Sequence, residues 1–324
     1  MKTILLFLSV LLSANIFGQN VYIPDANFKA YLVGNSEINT SGDTEIQVSE
    51  ANAFTGEIHI NSNHEVQDIM GIEAFTALTS LYFSAPPEPI LSIDLSQNIA
   101  LKELRLRTLW LTGIDLSQNT ELEILAIEYN NMEQLDLSNN TELVFLDCTS
   151  SNLTDLNVSH CTKLETLICV HNSLSQIDLS NNTLLQKLNI YDNELTVLNL
   201  SMNTELVSLG CGGNALECLN IKNGNNANFT SLYVSGNLNL TCIEVDDANF
   251  STSAWGVSFP GVYSEDCDNG CSISSVGLGV INSSPKTLTQ ILDLMGRETT
   301  FKPNTPLIYV YDDGSIEKVF SVEY

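Results

Sequence analysis

The sequence predicts a mainly β repeat solenoid, in which short coils of chain stack with parallel strands on both sides of each coil. Two observations carry this prediction. The segment IDLSQN occurs at 93–98 and again at 114–119, and near-copies follow at a strict step of 21 residues. Inside each copy, and again in the other half of each unit, apolar and polar residues alternate as in a half-buried strand.

The second position of every IDLSQN copy is Asp or Asn. These residues are Asp94, Asp115, Asp136, Asn157, Asp178, Asn199 and Asn220. Stacked coils lie about 4.8 Å apart, so the position forms a polar ladder along the solenoid. Because the copies agree so closely, we interpret IDLSQN as a structural seam, with hydrogen bonds from the serine two positions later. A functional motif would not need such uniform repetition.

One full coil, 122–142, reads LEILAIEYNNMEQLDLSNNTE, and each half follows L-x-x-L-x-L-x-x-N. Over about 77–245, such units resemble the nested 21-residue class of bacterial leucine-rich repeats. The segment 66–83 resembles an internalin-type repeat with a more helical back side. The resemblance implies a leucine core that needs a cap at each end, because a single coil cannot bury its own apolar stripe.

The ends of the chain differ in composition from the repeats. Residues 1–19 combine Lys2, an apolar run and small residues before Gln19, which is typical of a secretory signal peptide. A capping helix is expected within 23–35, with Asp25 as its N-cap. The predicted division is a signal peptide (1–19), an N-terminal helical cap (20–57), the solenoid (58–245), a C-terminal cap (246–271), a linker (272–286) and a small C-terminal β module (287–324).

The β module resembles the type IX secretion sorting domain of Bacteroidetes, through ILDLMGRET, TPLIYVYDDG and IEKVFSVEY. Together with the signal peptide, this resemblance implies an exported protein, extracellular or at the outer-membrane surface. The sequence predicts no transmembrane segment in the mature chain.

Composition limits the partners. The chain is 44% hydrophobic and 16% charged, which indicates a folded protein. It has 39 acidic against 12 basic residues, a net charge of −27, and this field repels nucleic acid. Its four histidines show no metal-binding spacing and no catalytic motif is present, so we expect no enzyme. The sequence leaves the oligomeric state open.

The outward positions of the other half-repeat vary from coil to coil and include aromatic residues, as in a recognition surface. We therefore expect a protein or a glycan to bind there. The alternatives are that scattered exposed apolar residues are ordinary, and that the protein is a structural component of the envelope or matrix without a specific ligand. The candidate residues are Arg105, Arg107, Trp110, Tyr129, Phe145, Ile168, His171 and Tyr191.

The segment 39–50 has the spacing of an EF-hand loop, with oxygen-bearing residues at positions 1, 3, 5, 7 and 12. The candidate calcium ligands are Asn39, Ser41, Asp43, Glu45 and Glu50. In a structural protein, calcium would rigidify the cap. The other interpretation is an Asx/Gly turn that caps the solenoid without a cofactor.

Eight cysteines allow disulfides in an exported protein. Cys148, Cys169 and Cys211 occupy the inward slot that isoleucine fills in other coils, so we expect buried thiols there. The segment from TCIEVDDANF to SEDC resembles the C-terminal cap of related repeat proteins, which implies a disulfide between Cys242 and Cys267. The pairing of the remaining three, Cys161, Cys218 and Cys271, stays open.

Overall fold

The computed structural model describes residues 19–255 and 259–267 together with three strands nearer the C-terminus. The chain forms two compact units, Met1–Ser272 and Ile273–Tyr324. The predicted signal peptide up to residue 18, the linker at 272–286 and Cys271 lie outside the described residues.

One face of the first unit is a nine-stranded parallel sheet, here called the front sheet. Its strands are β1 (Glu57–Ile60), β2 (Ser80–Ser84), β3 (Glu103–Arg107), β4 (Ile124–Ala126), β5 (Phe145–Asp147), β6 (Thr166–Ile168), β7 (Lys187–Asn189), β9 (Ser208–Gly210) and β11 (Ser231–Tyr233). Neighbouring strands pair in register, so that Leu104, Leu125 and Leu146 stack on one another inside the solenoid. The predicted fold class is confirmed.

The opposite face carries a smaller parallel sheet, the back sheet. It consists of β8 (Val197–Asn199), β10 (Cys218–Asn220), β12 (Cys242–Glu244) and β13 (Val262–Ser264). The expectation of a strand on both sides of each coil therefore holds only for the C-terminal coils. In the described coils before β8, segments such as 114–116 and 135–137 turn their leucines inward without forming strands.

The residue before the inward side chain accounts for this difference. In the back strands it is Val or Cys, which favour extended chain: Val197, Cys218, Cys242 and Val262. In the earlier coils it is a residue with weaker strand preference: Ser92, Gly113, Gln134, Asp155 and Gln176.

Two columns of buried polar side chains bind each coil to the previous one. At the turn after the back segment, Asn140 Nδ2 donates to the carbonyl oxygens of Leu116 and Asn119, at 3.1 and 2.9 Å. Cys161 takes this position one coil later and donates from Sγ to the Asn140 carbonyl. At the turn after the front strand, Ser151 replaces asparagine and donates to the Ile127 carbonyl at 2.7 Å.

The IDLSQN column forms Asx turns. Asp136 Oδ1 accepts a hydrogen bond from the backbone N–H of Ser138 at 2.9 Å, and the equivalent bond recurs in the other coils. The contacts within the motif therefore end the back segment of each coil. This geometry agrees with a structural seam.

Two short helices, α1 (Ala26–Val33) and α2 (Val48–Ala53), cap the N-terminal end. Asp25 is the N-cap of α1, as predicted, and its Oδ1 accepts from the N–H groups of Asn27 and Phe28 at 2.8 Å. Its Oδ2 also accepts from Gln67 N–H at 2.8 Å, which ties the cap to the first coils. Short 3-10 helices occupy Ser62–His64, Ile72–Ala74 and Asn226–Asn228.

Helix α3 (Ala248–Trp255) follows the last coils, and Cys242 is joined to Cys267 by the disulfide that the resemblance implied. Cys218 is disulfide-bonded as well. The described free thiols, all buried, are Cys148, Cys161, Cys169 and Cys211. The second unit contains a three-stranded antiparallel sheet of β14 (Leu288–Leu292), β15 (Leu307–Tyr311) and β16 (Ile316–Val319).

Candidate recognition surface

The predicted recognition residues lie on or beside the front sheet. Arg105 and Ile168 occupy the same outward position of β3 and β6, Phe145 begins β5, and Arg107 ends β3. The other four lie in the turns that follow the strands; Trp110, Tyr129, His171 and Tyr191 are all exposed there.

Six of the eight residues form three contacting pairs. The guanidinium carbon of Arg107 lies 5.2 Å from the centre of the Tyr129 ring, and that of Arg105 lies 5.8 Å from the centre of the Phe145 ring. Both are cation–π contacts; the first joins neighbouring coils, and the second reaches from β3 across β4 to β5. The rings of His171 and Tyr191 meet edge to face with centres 6.3 Å apart. Each pair therefore limits the rotamers of its aromatic ring.

The backbone fixes some of these side chains further. Just beyond the front strands, one position per coil adopts a left-handed conformation, with φ between 49° and 85°. Its occupants are Ala85, Thr108, Tyr129, Ser150, His171, Asp192, Gly213 and Gly236. This conformation costs a non-glycine residue about 1–2 kcal/mol, and stacking holds it: Tyr129 N–H donates to the Thr149 carbonyl at 2.8 Å, and His171 N–H to the Tyr191 carbonyl at 3.0 Å.

Charges on this surface are closely compensated. Arg105 Nε lies 2.5 Å from Glu103 Oε1, Arg107 Nε lies 3.3 Å from Glu128 Oε2, and His171 Nδ1 lies 2.9 Å from an Asp192 oxygen. Burial raises the pKa of Glu128, the neighbouring Asp147 carboxylate raises it further, and Arg107 opposes both. The centre of the sheet thus holds the buried Asp147 and the half-buried Glu128 beside two guanidinium groups.

The two ends of the front sheet carry aromatic residues that were not among the predicted recognition residues. At the N-terminal end, the rings of His59 and Tyr82 stack with centres 4.2 Å apart. At the other end, Tyr233 is 67% exposed and pairs in register with Gly210. The likeness of SLYVSGN to SLGCGGN would have located Tyr233, because both segments follow the same turn pattern.

Gly212 has a specific role beside Tyr191. A Cβ atom at Gly212 would lie 2.8 Å from Tyr191 Cε2 and 2.6 Å from the Ser235 carbonyl oxygen. Glycine therefore lets the Tyr191 ring lie over the next coil. The glycine-rich segment GCGGN serves packing of this aromatic residue.

The candidate calcium residues do lie together, but their oxygens accept hydrogen bonds from the protein. Glu50 Oε1 accepts from Ser41 N–H at 2.7 Å and from the Thr40 hydroxyl at 3.0 Å, while Oε2 accepts from Gln47 N–H at 3.0 Å. Asn39 Oδ1 accepts from Gly42 N–H at 3.0 Å. N–H and hydroxyl donors converge on the Glu50 carboxylate, as in an anion-binding turn.

The remaining two candidates are engaged too. Asp43 accepts from Glu45 N–H at 2.8 Å through Oδ1 and from Gln47 Nε2 at 3.0 Å through Oδ2. Glu45 was expected to offer its backbone carbonyl, and its side-chain Oε1 pairs with Lys29 at 2.6 Å. Calcium requires six to eight oxygens directed at one point. The residues therefore do not fit a preformed calcium site, and their contacts support the interpretation as a capping turn. Within the described part of the chain, no group of three or more His, Cys, Asp or Glu residues is arranged to hold a metal ion.

Burial alone raises the pKa of Glu50, but the N–H groups of Gln47 and Ser41 outweigh it and hold that pKa below its ordinary value. Glu50 thus stays ionised and also begins α2 through a capping box with Gln47.

No protein-family model and no curated protein matches the chain. Among solved structures, the functional domain of InlJ from Listeria monocytogenes, which includes a cysteine ladder, is 27% identical, with a TM-score of 0.57. The match covers 70% of this chain and 52% of that chain, so this protein spans about half the length of its relative. A leucine-rich-repeat protein of Leptospira interrogans is 15% identical over 61% of this chain and 69% of its own, with a TM-score of 0.44.

The internalin InlF of Listeria monocytogenes is 17% identical over 73% of this chain and 100% of its own, with a TM-score of 0.33. No helix in the described residues is long and apolar enough to cross a membrane. The stacked parallel strands and the likeness to the InlJ domain show that the fold is a leucine-rich-repeat solenoid.

Proposed function

We propose that the protein is an exported leucine-rich-repeat binding protein that recognises a protein or glycan through the front sheet. The observation that carries this proposal is the contrast within each coil. The inward leucines and turn asparagines repeat, whereas the outward front positions change from coil to coil. Solenoids of this kind present extended surfaces for binding.

The aromatic residues have the properties of binding anchors. Tyr129 and Tyr191 are 47% and 39% exposed, yet each ring contacts a neighbouring side chain and is held in place. Rigid aromatic side chains provide contact area at a low cost in conformational entropy. Arg105 and Arg107 add polar groups that are already oriented by Glu103 and Glu128. The surface is therefore preorganised for a partner.

Export is supported by the features of 1–19 and by the strands of the second unit, whose sequence resembles a sorting domain. Expression of the full chain and of a chain truncated before residue 287 in a Bacteroidetes host tests this part. We expect the full chain at the outer-membrane surface or in the medium and the truncated chain in the periplasm. Equal distribution of the two would exclude the tail as a sorting signal.

A capture experiment tests the front sheet. The immobilised protein is incubated with whole-cell surface extracts, and its Tyr129→Ala/Phe145→Ala/Tyr191→Ala variant is compared with wild type. We expect the variant to lose the captured partner. The matched control removes exposed aliphatic residues in and next to the back sheet, Val197→Ala/Met202→Ala/Val262→Ala, and should retain capture.

Because Phe145 is half-buried, the double variant Tyr129→Ser/Tyr191→Ser and circular dichroism of every variant separate lost binding from lost folding. Undiminished capture by folded front-sheet variants would overturn the proposal. Absence of any captured species from wild type would instead favour the structural envelope or matrix protein.

A further inference from the structure

A cavity of about 400 Å³ opens on the back of the solenoid, away from the front sheet. It lies between the coil that contains the 3-10 helix Ile72–Ala74 and the next coil, where the segment SAPPEP at 84–89 lengthens the chain. The two coils therefore have different cross-sections on this side. This mismatch accounts for a gap between the two coils.

The inner part of the cavity is apolar. Ile69 and Ile72 are buried at its floor, and Ile90 and Ile93 line it while half-buried. Its volume is in the range of small-molecule and side-chain pockets, about 300–1,000 Å³. Met70 also lines the cavity and is 48% exposed, so the apolar surface continues to the solvent.

The outer part is acidic. Asp68, Glu73 and Asp94 line the cavity and are exposed to solvent. One oxygen of each is anchored by a backbone N–H: Asp68 by Met70 at 2.9 Å, Glu73 by Gly71 at 2.7 Å and Asp94 by Ser96 at 2.9 Å. No lysine, arginine or histidine of the described residues pairs with these three carboxylates.

We infer that this cavity binds a lysine side chain presented by a polypeptide partner. The apolar floor fits the aliphatic stem, and the carboxylates fit the ammonium group, in a protein whose net charge of −27 attracts cations. Ammonium is favoured over guanidinium, because a guanidinium fork pairs best with both oxygens of one carboxylate. Here one oxygen of each carboxylate is already engaged. A polypeptide is favoured over a free amine, since Met70 lines the cavity with nearly half of its surface exposed and so offers apolar contact to residues that flank the lysine.

The four isoleucines supply a direct measurement. The full chain is labelled at isoleucine δ1 methyl groups and titrated with the peptide Ac-Leu-Lys-Leu-NH2, while methyl NMR follows Ile69, Ile72, Ile90 and Ile93. We expect saturable shifts confined to these four methyls. The matched peptide with norleucine in place of lysine should bind roughly tenfold more weakly, and added salt should weaken the lysine peptide further.

A substitution pair isolates the charge. Asp94→Asn keeps the turn, because Asn157 and Asn199 make the same contact to a serine N–H in other coils. We expect it to raise the Kd about two- to five-fold, and Asp68→Asn/Glu73→Gln/Asp94→Asn to raise it more than about tenfold. Asp115→Asn, the same change one coil along, is the control and should leave the Kd unchanged.

Three results would overturn the inference: no shift at the four methyls, equal binding of the norleucine peptide, or equal effects of Asp94→Asn and Asp115→Asn. Equal affinity for free hexylamine would overturn the assignment to a polypeptide. Because these measurements do not involve the front sheet, they can fail while partner capture through Tyr129 and Tyr191 succeeds, and the reverse.

Discussion

The buried turn asparagines and the outward front-sheet residues occupy the same coils but repeat differently. Asn98, Asn119 and Asn140 are at most 1% exposed, and each donates to two backbone carbonyl groups of the preceding coil. Over the neighbouring coils the outward position changes from Arg105 to Ala126. Residues repeat where a neighbouring coil needs a hydrogen-bond donor, and vary where no neighbouring backbone group requires one.

The left-handed positions beyond the front strands, from Ala85 to Gly236, are here called the left-handed column. They combine a repeated feature with a variable one. Its backbone conformation repeats from coil to coil, whereas its side chains change from Thr108 through Tyr129 to His171. Stacking of N–H and carbonyl groups fixes φ there, and the side chain is left outside. Backbone regularity therefore does not imply a purely structural position.

The largest loss of stability should come from substitutions in the column of buried turn asparagines that includes Asn98, Asn119 and Asn140. Asn140→Ala removes two hydrogen bonds, leaving the Leu116 and Asn119 carbonyls only their bonds from the N–H groups of Asn119 and Leu122, and it opens space. We therefore expect a loss of about 1–3 kcal/mol in the free energy of unfolding. Urea unfolding followed by circular dichroism measures it. The exposed neighbour Asn139→Ala is the control, expected within about 0.5 kcal/mol of wild type.

Asn140→Cys sharpens this test, because Cys161 already fills the position one coil later. A thiol donates one weak hydrogen bond, so its stability should lie between those of wild type and Asn140→Ala. Equal stability of Asn140→Ala and Asn139→Ala would show that the column does not hold the coils together.

The second prediction concerns the effect of the left-handed backbone conformation on stability. Gly213 has φ +65°, and a Cβ atom there would lie 2.0 Å from Asp192 Oδ1. Gly213→Ala should therefore cost about 1–2 kcal/mol. Ser150→Gly at φ 52° relieves strain but adds freedom to the unfolded chain, so its stability should stay within about 0.5 kcal/mol of wild type. Equal losses for both variants would contradict the assignment of strain to φ.

The fold was predictable because a 21-residue period fixes which residues face inward. The restriction of the back sheet to the C-terminal coils could also be predicted, from Val197 and Cys218 before the inward leucines. The 21-residue period alone does not predict it. The left-handed column was not readable: Thr108, Tyr129 and Ser150 do not favour that conformation, which stacking imposes. The cation–π pairs depend on distances between coils, so the sequence identified Arg107 and Tyr129 without pairing them.

The third prediction concerns the N-terminal cap. Glu50→Gln removes the charge on which three N–H or hydroxyl donors converge, so we expect a loss of about 1 kcal/mol and a lower Tm in EDTA. Glu45→Gln at the half-buried Glu45, which loses only the pair with Lys29, should change stability by less than about 0.5 kcal/mol. Thermal unfolding by circular dichroism measures both.

The same scans repeated in millimolar calcium decide between a capping turn and a cation loop. A capping turn keeps the Tm of wild type unchanged. A calcium-dependent rise in the wild-type Tm that Glu50→Gln abolishes would show that the loop rearranges to bind the ion.

The smallest expected effect comes from two carboxyl groups whose pKa values are shifted in opposite directions. Backbone and hydroxyl hydrogen bonds from Ser138 hold the pKa of Asp136 below its ordinary value, whereas burial and Asp147 raise the pKa of Glu128. Asp136 therefore contributes stability above its unfolded-state pKa that is lost as pH falls through its folded pKa. Glu128 behaves oppositely: the folded state holds its proton more tightly, so stability decreases as pH rises through its folded pKa.

Carboxyl carbon NMR titration should resolve Glu128 above and Asp136 below their ordinary pKa values. Unfolding measured against pH should then show that Glu128→Gln removes a loss of stability on the alkaline side, while Asp136→Asn removes one on the acidic side. A Glu128 pKa at or below its ordinary value would mean that Arg107 outweighs both burial and Asp147. The pKa shifts of the carboxyl groups in the IDLSQN column and on the front sheet would then not differ in direction. As the structure stands, the Asx-turn contacts lower the pKa values of Asp94, Asp115 and Asp136, whereas burial and Asp147 raise the pKa of Glu128 on the front sheet.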